Sequence, residues 1–200
     1  MNRTCAILLL ALVAQQPVTA ADQAIAFPQA ALTQAPRTGW PTNGGNLFNQ
    51  RYFAELMERQ HDRSTRMGES YALVFIDLDR FKLINDTYGH HMGDALLREV
   101  ALRLRIPLRA SDVVARLGGD EFVILLYGEN EQTDVRASAA HLAETLVAEL
   151  SRPIVVQDRQ VFLGTSIGVT LFPEDASGAT MLMKNGDIAM YQAKVCSRRY

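Results

Sequence analysis

The sequence has few of the residues that build disulfide scaffolds, zinc sites and charged binding surfaces. Its 200 residues include two cysteines, Cys5 and Cys196, so it holds neither a disulfide framework nor a zinc-ligand spacing. The formal net charge is −2, which gives no electrostatic footprint for nucleic acid or for a basic membrane-binding surface. Any anionic ligand is therefore expected to be held locally, by loops and by a metal ion.

The apolar run near the N-terminus is too short to cross a bilayer. It covers residues 5–14, whereas a transmembrane helix needs about 20 apolar residues. Because Arg3 precedes the run and small residues follow it, residues 1–21 are typical of a secretory leader or of an uncleaved leader that associates with a membrane. Residues 22–45 predict a linker or a poorly ordered lead-in. We expect residues 46–200 to form one domain, since 48% of the sequence is hydrophobic.

The most informative stretch lies at residues 113–126, where Gly118-Gly119-Asp120-Glu121 separates two apolar runs. Adjacent glycines between such runs predict a hairpin, because a tight hairpin turn needs positive φ. Residues 112–117 and 122–126 are therefore predicted to be antiparallel strands, with Asp120 and Glu121 on the turn. Such a turn suits a phosphate together with a hard cation, and an ordinary solvated turn is the alternative.

A second acidic stretch precedes this hairpin. The apolar run 71–76 predicts a buried central strand that ends at Asp77-Leu78-Asp79. A carboxylate at the end of a buried strand is costly unless it is solvated or bound to a cation. Because Mg²⁺ prefers a few carboxylate oxygens together with phosphates and water, we predict that Asp77 and Asp120 surround such an ion if the two strands pair. A solvated strand end is the alternative.

The remaining patterns predict helices on a sheet. Apolar residues recur at helical spacing in residues 47–67, 94–109, 135–150 and 179–194, and two further strands are predicted at residues 153–156 and 160–171. The order of these elements predicts an α/β sandwich with a largely antiparallel central sheet flanked by helices. Gly186, in the middle of the last helix, is expected to cost about 1 kcal/mol relative to alanine and to soften that helix.

The two acidic stretches, in this order, resemble the GGDEF family of diguanylate cyclase domains. Three other segments match the family pattern: Thr38–Pro41, Ser166–Gly168, and Asp187–Lys194 with Arg198. The resemblance covers roughly residues 47–198. It implies a palm-like fold of the nucleotidyl cyclase type and the condensation of two GTP molecules into cyclic di-GMP with release of pyrophosphate. Because the substrate is GTP, it also implies action on the cytoplasmic side, although export through the leader is an alternative.

The resemblance assigns roles to residues of this chain. It implies that Mg²⁺ (or Mn²⁺) is bound by Asp77, the Leu78 carbonyl, Asp120 and Glu121, with Asp120 and Glu121 also catalytic. It implies that Asn85 and Asp94 hold the guanine base, and that Lys82, Gly118, Gly119, Lys194 and Arg198 contact the rest of the nucleotide. From the residues alone, Asn85 is equally a helix cap, Asp94 a first-turn acid, and the cations are equally solvated.

A possible inhibitory site precedes the first hairpin strand. Arg109-Ala110-Ser111-Asp112 resembles the family's Arg-x-x-Asp motif, which binds a dimer of the cyclic product. Arginine suits that role because it engages phosphate or guanine with two parallel hydrogen bonds. Arg136 is a candidate for the second arginine of the site. The alternative is an Arg–Asp pair at a helix-to-strand turn.

Departures from the family pattern leave a second function open. Arg37 stands where the family has leucine, Ser197-Arg198-Arg199 replaces its Gly-Arg-Asn, and the sequence ends at Tyr200, where a last edge strand is expected. The alternative function is a catalytically impaired domain that binds GTP or cyclic di-GMP as a regulatory module. Since one domain holds one GTP, turnover would require a homodimer.

Overall fold

The structure is a computed structural model that describes residues 47–128 and 134–197, with side chains from Phe53 onward. Predictions for the leader, the lead-in and Arg198 lie outside the described residues. The helices are α1 (Leu47–Met67), α2 (Phe81–Tyr88), α3 (His90–Arg105), α4 (Val135–Leu150) and α5 (Ala179–Ser197). The strands are β1 (Tyr71–Asp79), β2 (Val113–Gly118), β3 (Glu121–Tyr127), β4 (Ile154–Val156), β5 (Arg159–Val161) and β6 (Gly164–Phe172).

The central sheet has the strand order β2-β3-β1-β6, and all of its neighbouring strands are antiparallel. Strand β1 lies inside the sheet and is buried from Tyr71 to Leu78, as the apolar run predicted. Helix α1 packs against β2, while α4 and α5 pack on β1 and β6. The predicted α/β architecture with a largely antiparallel sheet is therefore confirmed.

The predicted strand at residues 160–171 is wrong as a single element. Strand β5 ends at Val161 and pairs with β4 in a separate two-stranded sheet, whereas β6 begins at Gly164 and pairs with β1. At the start of β6, the Ser166 hydroxyl donates to Asp79 Oδ1 at 3.0 Å. The sequence did not show this division because local periodicity does not reveal which distant strand is the partner.

Helix α3 begins at His90, four residues before the predicted start, and ends at Arg105 rather than at residue 109. The break between α2 and α3 is Gly89, whose φ of 83° is a conformation that favours glycine. The helix ends before Pro107, as expected for a residue that cannot donate a backbone hydrogen bond. His90 and His91 are exposed in the first turn.

Gly186 does not merely soften the last helix, because it lies where the helix meets the sheet. A Cβ at this position would lie 2.2 Å from two ring carbons of Phe75. On the facing strand, a Cβ at Gly168 would lie 2.3 Å from the backbone nitrogen of Met190. The two glycines therefore allow α5 to approach the sheet closely and leave room for an aromatic ring on β1.

Candidate active site

The candidate site lies where β1 ends beside the turn between β2 and β3. In the register of β1 and β3, Asp77 is directly opposite Glu121, and the Leu78 amide donates to the carbonyl of Asp120 at 3.3 Å. Side chains directly opposite each other in an antiparallel pair project from the same face, with Cβ atoms about 5 Å apart. The fold thus brings together acids from two segments that are distant in the chain.

Burial and mutual repulsion raise the pKa values of the turn carboxyls. The pKa of Asp120 is raised by burial first and by the neighbouring charge of Asp77 second. The pKa of Glu121 is raised by burial, and then by Asp77, Asp120 and Asp187. The neighbouring negative charges disfavour ionisation of Asp120 and Glu121, so a cation placed among them would stabilise the charged forms of these two carboxyls.

A largely apolar cavity lies beside Glu121. The cavity has a volume of about 290 Å³ and lies between α1, the end of β2 and the start of α5. Its lining includes Phe53, Met57, Leu117 and Met183, together with Glu121. Glu121 thus has the acidic cluster on one side and an apolar wall on the other, which is a setting that favours the protonated form.

Lys194 reaches the same site from the last turn of α5. Its Nζ atom lies 2.5 Å from both Asp77 Oδ1 and Asp77 Oδ2, and Asp77 is only 5% exposed. This ion pair partly balances the charge of the acidic cluster. The structure therefore places Lys194 at the predicted site, with a carboxylate as its partner.

The donor chemistry fits a hard divalent cation. The side chains of Asp77, Asp120 and Glu121 supply carboxylate oxygens, the ligands that Mg²⁺ prefers. Burial and neighbouring negative charge raise the pKa values of Asp120 and Glu121, so a bound cation would stabilise their ionised forms. Within residues 47–128 and 134–197, no three His, Cys, Asp or Glu side chains already stand in a metal-binding arrangement. Cation binding would therefore need side-chain rotation and a shift of Lys194 away from Asp77.

The residues predicted to hold guanine lie at the junction of α2 and α3. A Cβ at Gly93 would lie 2.0 Å from Asn85 Oδ1, so the amide of Asn85 lies directly over this glycine. Asp94 is exposed in the next position of α3. Asn85 and Asp94 are thus brought together, while Lys82 is exposed on α2.

One of the two glycines has the positive φ that the hairpin prediction required. The turn consists of Gly119 and Asp120 alone, because Glu121, which was predicted to lie on it, begins β3. Gly119 has a φ of 50°, and a Cβ there would meet no atom within 4 Å. Gly118 ends β2, and the pairing register shifts between Arg116 and Gly118. The surface beside Gly119 is therefore open, as contact with a large ligand would need.

The predicted inhibitory motif forms a tight turn before β2. Asp112 is 1% exposed, and its carboxylate accepts from the Arg109 amide at 2.9 Å and from the Tyr127 amide at 3.4 Å. The Arg109 residue itself is exposed. Arg136, the candidate second arginine, donates from Nη2 to Glu174 at 2.5 Å. Asp112 thus has a structural function, in which it accepts from two backbone amides of the turn and of β3.

Sequence reasoning missed Arg116, which is 8% exposed in β2. Its Nε and Nη2 atoms donate to the Gly119 carbonyl at 3.0 and 2.6 Å. Both Asp94 and Asp120 are close enough to influence its pKa. The sequence offered one clue: Arg116 is the one charged residue in the apolar segment 113–117. A charged residue in a strand ordinarily faces solvent, so the clue did not point to a buried role.

Comparison with known proteins identifies the family. The family profile described as "Diguanylate cyclase, GGDEF domain" matches residues 45–199. The chain belongs to the GGDEF diguanylate cyclase family. This membership associates the domain with cyclic di-GMP signalling, and the palm-like fold implied by the resemblance is the fold of its structural neighbours.

Two curated relatives come from Pseudomonas aeruginosa. The bifunctional diguanylate cyclase/cyclic di-GMP phosphodiesterase MucR is 44% identical over 148 residues, which is 74% of this chain and 21% of MucR. The diguanylate cyclase TpbB is 40% identical over 150 residues, covering 74% of this chain and 34% of TpbB. The chain therefore spans between about a fifth and a third of the length of these relatives.

Solved GGDEF domains share the fold. The crystal structure of the TpbB GGDEF domain has a TM-score of 0.67 at 40% identity, covering 72% of this chain and 88% of that one. The GGDEF domain of DgcB from Caulobacter crescentus, solved with c-di-GMP, has a TM-score of 0.63 at 26% identity, covering 81% and 92%. None of the helices that the structure describes combines the length and apolar composition needed to cross a bilayer.

Proposed function

We propose that this GGDEF domain is an active diguanylate cyclase that condenses two GTP molecules into cyclic di-GMP. Each 3′-hydroxyl attacks the α-phosphorus of the other GTP, so two P–O bonds form, two pyrophosphates leave and each hydroxyl gives up its proton. The observation that carries this proposal is the meeting of Asp77, Asp120 and Glu121 at one strand end, beside Lys194. Family membership supports the reaction class.

Asp77, Asp120, Glu121 and the Leu78 carbonyl would hold Mg²⁺ or Mn²⁺. Such an ion supplies neutralisation of the phosphate charge that builds up during phosphoryl transfer. Lys194 would exchange its contact with Asp77 for a phosphate oxygen, since a lysine ammonium binds either anion as a point charge. Glu121 would act as a further ligand or as the base that accepts the hydroxyl proton.

Asn85 and Asp94 would fix the guanine edge, because together they supply an amide and a carboxylate with complementary donors and acceptors. Lys82 and Arg198 would help to orient the phosphates, and Gly118 and Gly119 would let the nucleotide approach the backbone. One domain positions one GTP, so we propose a homodimer in which two sites face each other. Action on the cytoplasmic side, where GTP is available, follows from this substrate.

The direct test is incubation of the full chain with GTP and Mg²⁺, followed by chromatography of the products. We expect cyclic di-GMP and pyrophosphate, with a rate per chain that rises with protein concentration because two copies must meet. Asp158→Asn is the matched control for substitutions of the acids at the candidate site, because Asp158 is an exposed acid on the β4–β5 turn, outside that site. GTP consumption without a cyclic product would contradict the proposal.

A regulatory module that binds nucleotide without turnover is the second candidate. The observation that favours it is the contact of Lys194 with both oxygens of Asp77, which occupies a predicted metal ligand. This function predicts saturable binding of GTP or cyclic di-GMP by calorimetry, with no product at any protein concentration. Product formation by the wild-type chain would exclude it.

A further inference from the structure

Arg116 is a charged residue buried within an otherwise apolar segment of β2. The residues before it, from Val113 to Ala115, are buried and apolar, and Arg116 itself is 8% exposed. Burial of a guanidinium is costly unless its donors are satisfied. Here Nε and Nη2 both donate to the Gly119 carbonyl, at 3.0 and 2.6 Å. A single side chain thus closes the turn that carries the catalytic acids.

The turn is held from two directions. Arg116 binds the carbonyl of Gly119, and the Leu78 amide of β1 binds the carbonyl of the next residue, Asp120, at 3.3 Å. Gly119 has a φ of 50°, and the strand register shifts just before it, so ladder hydrogen bonds alone do not fix this segment. Two successive carbonyls with separate donors determine the orientation of the peptide that carries the Asp120 carboxylate.

The guanidinium also lies near carboxylates from both sides of the site. Asp94, on the guanine side, and Asp120, on the metal side, each raise the pKa of Arg116, although burial has the larger and opposite effect. The guanidinium is thus within electrostatic range of one acid from each half of the proposed nucleotide site. Its own contacts are with the protein, which makes it a candidate for orientation rather than for direct chemistry.

We propose that Arg116 is a positioning residue: by holding the Gly119 carbonyl, it directs the Asp120 carboxylate toward Asp77 and so shapes the divalent-cation site. This inference rests on the proposed function. Positioning and simple electrostatics predict opposite changes in metal affinity when Arg116 is replaced. A nearby cation repels a bound metal ion, so loss of the arginine charge alone would tighten metal binding, whereas loss of positioning weakens it.

The test is Mn²⁺ binding to the full chain in the presence of a non-hydrolysable GTP analogue, measured from the electron paramagnetic resonance signal of free Mn²⁺. We expect Arg116→Gln, which removes the charge and the two-pronged donor, to weaken Mn²⁺ binding by about 10-fold to 100-fold, as supporting groups around metal ligands do. Unchanged or tighter binding would overturn the proposal.

Arg103 provides a matched control with the same chemistry at another place. It donates to the backbone carbonyls of Glu149, Arg152 and Pro153 at 3.2, 3.1 and 2.9 Å, so it also clamps a turn. We expect Arg103→Gln to lower thermal stability without changing Mn²⁺ affinity. A loss of Mn²⁺ affinity equal to that of Arg116→Gln would show a general effect of stability and would overturn the positioning role.

Arg116→Lys covers the case in which Arg116→Gln does not fold. Lysine keeps the charge and offers a point donor in place of the planar fork, so positioning predicts weaker Mn²⁺ binding for this variant too. Product formation by the wild-type chain is measured in parallel. If Mn²⁺ binding depends on Arg116 but no cyclic product forms, only the cyclase function is refuted. If the product forms but Mn²⁺ binding does not depend on Arg116, only the present inference is refuted.

Discussion

The acidic end of the central sheet and the contact between α5 and the sheet differ in what they bury: the first buries charged groups and the second buries apolar groups. The acidic end, formed by Asp77, Asp120 and Glu121, gathers like charges, and burial together with the neighbouring charge of Asp77 raises the pKa values of Asp120 and Glu121. The α5–sheet contact, formed by Gly168, Gly186 and Phe75, is apolar and allows close backbone approach. The first region holds the proposed cation site and gathers buried like charges, which destabilise the free protein, whereas the second contributes close apolar packing, which stabilises it.

The largest expected effect is on activity at the acidic end. Asp120→Asn removes the charge of a proposed metal ligand while keeping its size, so we expect kcat to fall by about 100-fold to 1000-fold. The free energy of unfolding should stay the same or rise, because the wild-type carboxylate is destabilised by burial and by Asp77. Product chromatography and urea unfolding measure the two quantities, with Asp158→Asn as the control. Unchanged kcat would refute the metal assignment.

The reverse result is expected at the α5–sheet contact. Gly186→Ala improves helix propensity, but its methyl group overlaps the Phe75 ring, so we expect a net destabilisation of about 1–3 kcal/mol. Gly178→Ala is the control for a glycine substitution without steric overlap, since a Cβ there meets no atom within 4 Å. Because Gly178 caps the start of α5, we expect this control to lose about 1 kcal/mol through poorer capping, a loss that does not depend on Phe75.

A double-mutant cycle decides whether Phe75 is the cause of that destabilisation. Phe75→Leu removes the ring atoms that the new methyl group would meet, so Gly186→Ala should cost less free energy of unfolding in this background than in the wild-type protein. Equal costs in both backgrounds would show that the glycine is needed for another reason. Urea unfolding of the four proteins gives the coupling free energy.

Two variants of the Arg-x-x-Asp motif separate a structural role from a ligand-binding role. Asp112 is expected to affect stability, and Arg109 is expected to affect inhibition. Asp112→Asn leaves two backbone amides with a weaker acceptor in a buried turn, so we expect a loss of about 1–3 kcal/mol of stability. Arg109→Ala should leave stability unchanged and relieve inhibition by cyclic di-GMP without lowering the initial rate. Unfolding curves and product-inhibition curves separate the two results. Persistent inhibition in Arg109→Ala at the same product concentration would refute the inhibitory site.

The sequence was informative where a local pattern determined the structure. The apolar run before Asp77 predicted a buried strand, and the adjacent glycines predicted a turn with positive φ, which the structure shows at Gly119. Together these patterns led to the expectation that acids from the two segments meet if the two strands pair, a placement that the family resemblance implied. The relevant physics is short-range: burial of a continuous run, and the steric freedom of glycine.

The sequence was uninformative where contacts join distant segments. Lys194 and Asp77 are separated by 117 residues, and no local sequence pattern predicts their ion pair. Gly186 was expected to soften a helix, because only the packed structure reveals that Phe75 needs the space. Arg116 was passed over because a charged residue in a strand ordinarily faces solvent, while here its partner is a carbonyl created by the neighbouring turn.

The smallest effect we expect is a pH dependence that appears only at the acidic end. The folded pKa of Glu121 lies above its unfolded value, so the native state binds more protons than the unfolded state between these two values. Its contribution to stability is therefore favourable at low pH and is lost as pH rises from the ordinary carboxyl pKa of about 4 through the raised folded value. The comparison of wild type with Glu121→Gln isolates this contribution from that of other carboxyls.

We expect Glu121→Gln to gain stability relative to wild type at about pH 7.5 and to lose that advantage as the pH falls to about 4, the ordinary carboxyl pKa. Added Mg²⁺ should reduce the advantage at the higher pH, because the cation stabilises the wild-type carboxylate that the amide replaces. Urea unfolding at the two pH values, with and without Mg²⁺, measures both effects. A stability advantage that is equal at both pH values would show that ionisation of Glu121 does not destabilise the folded protein. The acidic end would then not differ from the α5–sheet contact in the pH dependence of its stability.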